Sequence, residues 1–314
     1  MHGRFGRLSR AFIIVASIVG CGRVFAGSPP LIIDDPETPG YRGWEINIVS
    51  TLEQTRDGHT MEVPLFDINY GLLNDRDQLK VEFAVLNDDP AGEHSEWGIS
   101  DLLVGYKYRF IDFDDTCTGW AVSFYPQVSS PTGDEDRGLG SGQTELEIPF
   151  QFQKNFEESK SWINPEIGYT VVLSDSEFNN WKMGVAMGKE VTEKLELEGE
   201  VGAFIFPGGG EPDFPFFNFG FEYRYSKNVN LLGSAGRGFR SREDGTPDFF
   251  CLLGVQFLLG KAAEEEGPGG EQEGGGGGDK EDMKDPGGES SMPSYMRSMS
   301  TARHSGYLIN PAAR

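Results

Sequence analysis

Apolar and polar residues alternate with a period of two through most of the chain between residues 42 and 260. In "RGWEINIVSTLEQT" (42–55), Trp44, Ile46, Ile48 and Leu52 share one parity. Glu45, Asn47, Thr51 and Glu53 share the other, and Val49 breaks the pattern. This strand runs for about ten residues, where a globular strand has roughly five or six. The same period returns in 62–70 (more weakly), 78–86, 101–110, 120–129, 145–156, 162–173, 181–191, 195–205, 217–225, 229–237 and 249–259. In 145–156, for example, Leu146, Ile148, Phe150 and Phe152 oppose Glu147, Gln151 and Gln153. Such long strands, each with one apolar and one charged or amide face, predict an all-β protein: an antiparallel transmembrane β-barrel of about twelve strands, an even number, as single-chain barrels of this kind require. The apolar parity faces lipid and the polar parity faces the lumen.

The links between strands support this. "RDGHT", "NDDPAGEHSE", "SSPTGDEDRGLGSGQ", "SDSEFNN", "PGGGEPDF" and "FRSREDGTPD" alternate with "LNDRD", "IDFDDTCTG", "EESKS", "VTEK" and "SKN". The first set is longer on the whole and richer in Gly and Pro, as outer loops are relative to periplasmic turns. Trp44, Trp97, Trp120, Trp162 and Trp181 all fall at strand ends, as in an interfacial aromatic belt, although the parity of Trp162 turns it toward the lumen. Composition agrees. With 37% hydrophobic residues and a mean hydropathy of −0.41, a helical membrane bundle is excluded but a barrel is not. The 27 Lys and Arg against 50 Asp and Glu, a net charge of −23, argue against nucleic acid as a partner.

Both ends depart from the period. Residues 1–26 read as a signal peptide: Arg4, Arg7 and Arg10 precede the apolar run 11–20, and "VFA" precedes Gly27. "IVGC", ending at Cys21, is an alternative processing site that would make Cys21 a lipidated N-terminus. Residues 27–40 read as a periplasmic N-terminal segment, 41–260 as the outer-membrane barrel, and 261–314 as an acidic, Gly-rich tail too polar to fold, hence disordered.

Chemistry that would mark an enzyme is sparse. His59 and His94 fall in predicted loops and His304 in the tail, and no Ser sits in a nucleophile elbow. "GLGSGQ" lacks the Lys-Ser/Thr of a phosphate loop. Cys117 and Cys251 are too few for a disulfide framework and lack metal-ligand spacing. The expectation is a protein without catalytic, cofactor or metal residues.

The polar parity supplies the candidate site, a lumen lining. It comprises Glu45 and Asn47, Asp67 and Asn69, Lys80 and Glu82, Lys107 and Arg109, Glu147 and Gln151, Glu166, the column Glu196, Glu198 and Glu200, and Glu222 with Arg224. Two readings stand side by side: a lumen filled by ion pairs and hydrogen bonds, or a solute path whose acidic walls favour cations and polar molecules.

Several stretches resemble a known family. "PPLIIDDPETPGYRGWEINIV", "PLFDINYGL", "QLKVEFAV", "GISDLLVGYKYRF" and "EVTEKLELEGEV" are similar to the outer-membrane barrel family named after the meta-pathway of phenol degradation, over roughly residues 29–260. "LLGVQFLLG" (252–260) keeps Gly254, Phe257 and Leu259 at the spacing of a signal for the barrel-assembly machinery. The resemblance implies outer-membrane lipid as surroundings and passive passage of small molecules, apolar or aromatic ones among them. Two alternatives remain: a sealed structural or interaction barrel displaying outer loops, and a soluble periplasmic β-sandwich binding module.

Overall fold

A computed structural model describes residues 30–239 and 246–260. The fold is a closed antiparallel barrel with twelve staves. Its strands are β1 (Trp44–Gln54), β2 (Gly58–Tyr70), β3 (Asp77–Pro90), β4 (Glu96–Ile99), β5 (Leu102–Ile111), β6 (Trp120–Phe124), β7 (Gln127–Ser130), β8 (Glu145–Phe156), β9 (Ser161–Val172), β10 (Asn180–Thr192), β11 (Leu195–Ile205), β12 (Phe214–Ser226), β13 (Val229–Gly238) and β14 (Phe249–Leu259). β4 with β5, and β6 with β7, are each one stave with a break. The first and last strands close the ring in unbroken register, from Trp44 opposite Leu259 to Gln54 opposite Phe249.

Each break has a local cause. Between β4 and β5, Asp101 leaves the ladder: its carboxylate accepts from the Gly133 N–H at 2.9 Å and from the Ser141 N–H and Oγ at 2.7 and 2.8 Å, pinning the longest link. Between β6 and β7 stands Pro126, which has no N–H to donate to a ladder. Pro64 is associated with a register shift between Glu62 and Leu65 in the β2–β3 ladder. Across that bulge the inward parity changes, so Glu62 and Leu65 are both buried. This is why the alternation of 62–70 reads weakly.

The long links share the end of the barrel opposite the start of β1, called here the far end. The near end carries the two tightest turns, at 193–194 and 227–228. The two wall faces divide as the alternation predicts. On β12, Phe219 is 66% exposed and its neighbour Asn218 is 0% exposed. Ile167, Met187, Val201 and Leu253 extend the outward apolar face around the ring. Trp44, Trp97 and Trp181 are exposed at strand ends, Trp44 against Tyr70 and Trp181 against Tyr169. Trp162 is buried inside. An apolar exterior on a sheet closed into a ring pairs the strand backbones with one another and leaves no open edge, which is the requirement of a lipid bilayer. The protein is an outer-membrane barrel.

Two expectations change. Residues 30–40, read from the sequence as a periplasmic segment, are buried and bonded to inward side chains of β5, β8, β9 and β11. The segment thus lies inside the barrel. His59, read as a loop residue, opens β2 and lies 3.3 Å from Asp89. The predicted signal peptide, Cys21, residues 27–29 and the tail 261–314 lie outside the described residues.

Candidate functional site: the filled lumen

Of the lumen positions named from parity, all are buried except Arg224, which is half-buried. Several of them cluster around a cation. Lys80 Nζ lies 2.6 Å from Glu82 and 3.4 Å from Asp67. Asp67 also accepts from Asn47 and Asn69, and Asn47 donates to Glu45 at 2.7 Å. These residues come from adjacent staves because register sets Asn47 opposite Asp67 and Asp67 opposite Glu82. Arg109 lies 3.2 Å from Asp112 and donates to the Asp75 carbonyl at 3.2 Å. Across the barrel, Lys182 bridges Glu166 at 2.7 Å and Glu147 at 3.2 Å. Gln151 accepts from Ser123. Lys182 joins the lumen set beyond the positions named from parity, and its parity opposite Trp181 and Met183 marks it as inward.

The segment 30–40 occupies the space between these clusters. It starts at the near-end mouth, where the Thr38 hydroxyl donates to the Asp75 carbonyl and the Tyr41 N–H to the Asp75 carboxylate. Gln153 donates to Glu37 at 2.8 Å. Lys107 Nζ donates to the Asp35 carbonyl at 2.6 Å and pairs with Asp34 at 3.2 Å. Asn164 donates to the Asp34 carbonyl, and the Asp34 N–H donates to Glu166. Deepest, the Ile32 and Ile33 N–H groups donate to the two oxygens of Glu200 at 2.8 and 2.7 Å. A strand-free backbone buried in a lumen leaves its N–H groups without ladder partners, and wall carboxylates supply them. Glycine makes the room: a Cβ on Gly184 would stand 2.5 Å from Ile33 Cδ1.

The sequence reading also missed an apolar inner region. Ile32 packs with Val49, Leu65, Ala84, Leu232, Leu252, Phe214, Phe216 and Phe250, all buried, and Phe204 joins them. Phe216 meets Phe250 edge-on with ring centres 6.1 Å apart and stacks on Phe204 at 5.9 Å. Leu31 and Ile33 pack on the other side against Trp162 and Ala186. The inner surface is therefore polar toward the near end and aromatic on the β12–β14 side toward the far end. No alternation signals this, because "FPFFNFGF" carries aromatic residues on both parities.

Comparison with solved structures gives the COG4313 outer membrane channel from Pseudomonas putida F1, 13% identical, covering 72% of this chain and 98% of that one with a TM-score of 0.57. The NanC porin, at 10% identity, covers 68% of this chain and 100% of that one with a TM-score of 0.50. These likenesses concern the fold. No curated protein matches the chain. Residues 56–257 match the family described as "Putative MetA-pathway of phenol degradation", and the chain belongs to that family.

Proposed function

We propose that the barrel is a passive channel that carries small molecules with apolar bodies across the outer membrane, with residues 30–40 closing it in the state described. The near end is the periplasmic one in this reading. The observation that carries it is the aromatic region formed by Phe214, Phe216 and Phe250 with Leu232 and Leu252, capped by Ile32 of the internal segment. Apolar side chains turned inward, at positions where a sealed barrel could equally hold ion pairs, offer burial to an apolar solute. Such a solute would displace Ile32 and travel on past the segment. The channel and the porin of similar fold support passage in general terms.

A sealed barrel is the second reading, favoured by the matched pairing of Lys80, Lys107 and Lys182 with carboxylates. Planar-bilayer conductance and liposome uptake of size-matched apolar and polar solutes decide between the two. The wild type should conduct weakly and admit the apolar solute first. A variant lacking residues 30–39 should conduct several-fold more. If neither protein conducts or admits any solute while both migrate as folded barrels, the sealed reading replaces the channel.

A further inference from the structure

Ile32 sits between a carboxylate and two aromatic rings. Its N–H and that of Ile33 donate to the two oxygens of Glu200, while its side chain packs with Phe216 and Phe250. Register explains the juxtaposition. Glu200, Asn218, Gly236 and Phe250 form one rung across β11, β12, β13 and β14. Gly236 gives the Phe250 ring room, because a Cβ there would collide with it. Two residues beyond Glu200 on the inner face of β11 is Gly202, where a Cβ would stand 2.7 Å from Phe216 Cζ. Each ring thus leans over a glycine toward the Glu200 side of the wall.

On the other side of Glu200, two residues along β11 and so about 7 Å away, stands Glu198. It is 5% exposed, and its buried Oε2 has no hydrogen-bond partner among the described residues. Glu200 is one of the carboxylates that bear on it, with Glu196, Glu222 and Asp35. Pro30 covers the position from β12: it lies over Gly220, the register partner of Glu198, where a Cβ would stand 2.8 Å from Pro30 Cγ. The Glu200 carboxylate is held by neutral donors, the two segment N–H groups and the Asn218 amide at 2.9 Å. Lys182, which acts on Glu200 through space, bridges Glu166 and Glu147 instead. Two neighbouring buried carboxylates, one with only neutral donors and one with an unpartnered oxygen, favour a cation over any neutral occupant.

We propose that this part of the lumen is a binding site for lipophilic amines: a protonated amine lodges between Glu198 and Glu200, and its apolar body lies against Phe216 and Phe250. Residues 30–33 fill the site as a stand-in. Their backbone N–H groups take the place of the ammonium on Glu200, and the Ile32 side chain takes the place of the body among the rings. The amine does better than the stand-in on the acidic side, since its bonds to the carboxylates carry a full positive charge. An alcohol of the same shape keeps the contact with the rings and loses the charge, and an acid of that shape meets like charge. The inference rests on the channel reading, in which a solute displaces Ile32, and it names the class of solute.

The test is calorimetric titration of the full-length barrel in detergent at neutral pH with 2-phenylethylamine, 2-phenylethanol and 3-phenylpropionate. The amine should bind at least tenfold more tightly than the alcohol, and the acid more weakly than either. Glu198→Gln, which leaves the segment's bonds to Glu200 in place, should cut the amine-to-alcohol ratio severalfold, and Phe250→Leu should weaken amine and alcohol by a similar factor. Heat-modifiable migration verifies that each variant folds, and Glu198→Asp, which keeps the charge, should keep the preference. Saturating amine should also speed hydrogen exchange at the Ile32 and Ile33 N–H groups severalfold, as expected if it takes their place. Amine and alcohol binding within twofold of each other, an unchanged ratio in Glu198→Gln, or unchanged exchange at Ile32 and Ile33 overturns the proposal. Conductance and uptake judge the channel separately: a barrel that conducts without preferring the amine loses only the amine site, and one that binds the amine but passes no solute loses only the channel.

Discussion

Ile167 and Val191 both lie outward on neighbouring staves, exposed by 42% and 54%, but at different depths. A barrel strand rises about 3.3 Å per residue and tilts about 40°, so each residue gains roughly 2.5 Å along the membrane normal. Ile167 stands six residues from the near-end start of β9 at Ser161, so about 15 Å up. That is within a few ångströms of the middle of an apolar band about 25 Å tall. Val191 stands one residue from the near-end limit of β10 at Thr192, close to the interface. Arginine on the lipid face costs about 2–4 kcal/mol at the midplane and about 0–1 near the interface. Ile167→Arg should therefore destabilise the barrel by about 2–3 kcal/mol more than Val191→Arg, roughly a thirty- to hundredfold shift in folding equilibrium. Urea titration of folding into phospholipid vesicles, read by heat-modifiable migration, measures it. Equal costs, or a larger cost at Val191, would refute the placement of β9 and β10 in the bilayer.

Glu200→Leu should release the Ile32 and Ile33 N–H groups, each now in a charge-assisted bond worth about 1.5–3 kcal/mol, so their hydrogen exchange should accelerate roughly ten- to hundredfold while the wall strands stay protected. In the near-end turns, Arg76 donates to both Asp115 oxygens at 2.7 and 2.9 Å, and this bonding holds the Asp115 carboxyl at about 2, below the ordinary 3.8. A depressed folded pKa means that the stabilisation is present above the unfolded value and fades as pH falls through about 2. NMR titration should show that midpoint, and Arg76→Gln should return it toward 3.8.

The wall was legible because its physics is local and periodic. β8 and β11 begin and end where the alternation does, at Glu145–Phe156 and Leu195–Ile205, and the inward turn of Trp162 follows from parity alone. The contents of the barrel were not legible. "LIIDD" has no period, and its partners Glu200, Glu166 and Lys107 are far away in sequence. Leu65 changes significance at a bulge that no alternation announces. Phe214 and Phe216 sit beside outward Phe217 and Phe219, so only closure of the ring sorts them.

That closure orders events in time. The internal segment precedes β1, and the strand that seals the ring beside β1 is β14. The bonds that hold the Ile32, Ile33 and Asp34 N–H groups span 132 to 168 residues, and they converge from opposite staves only once the wall curves back on itself. Contacts of such separation carry a large loop-closure cost and form late. Among the described residues, those made first are thus ordered last. While the sheet is still open, Asp34, Asp35 and Glu37 remain hydrated and hold the segment in water, ready to be enclosed when β14 arrives.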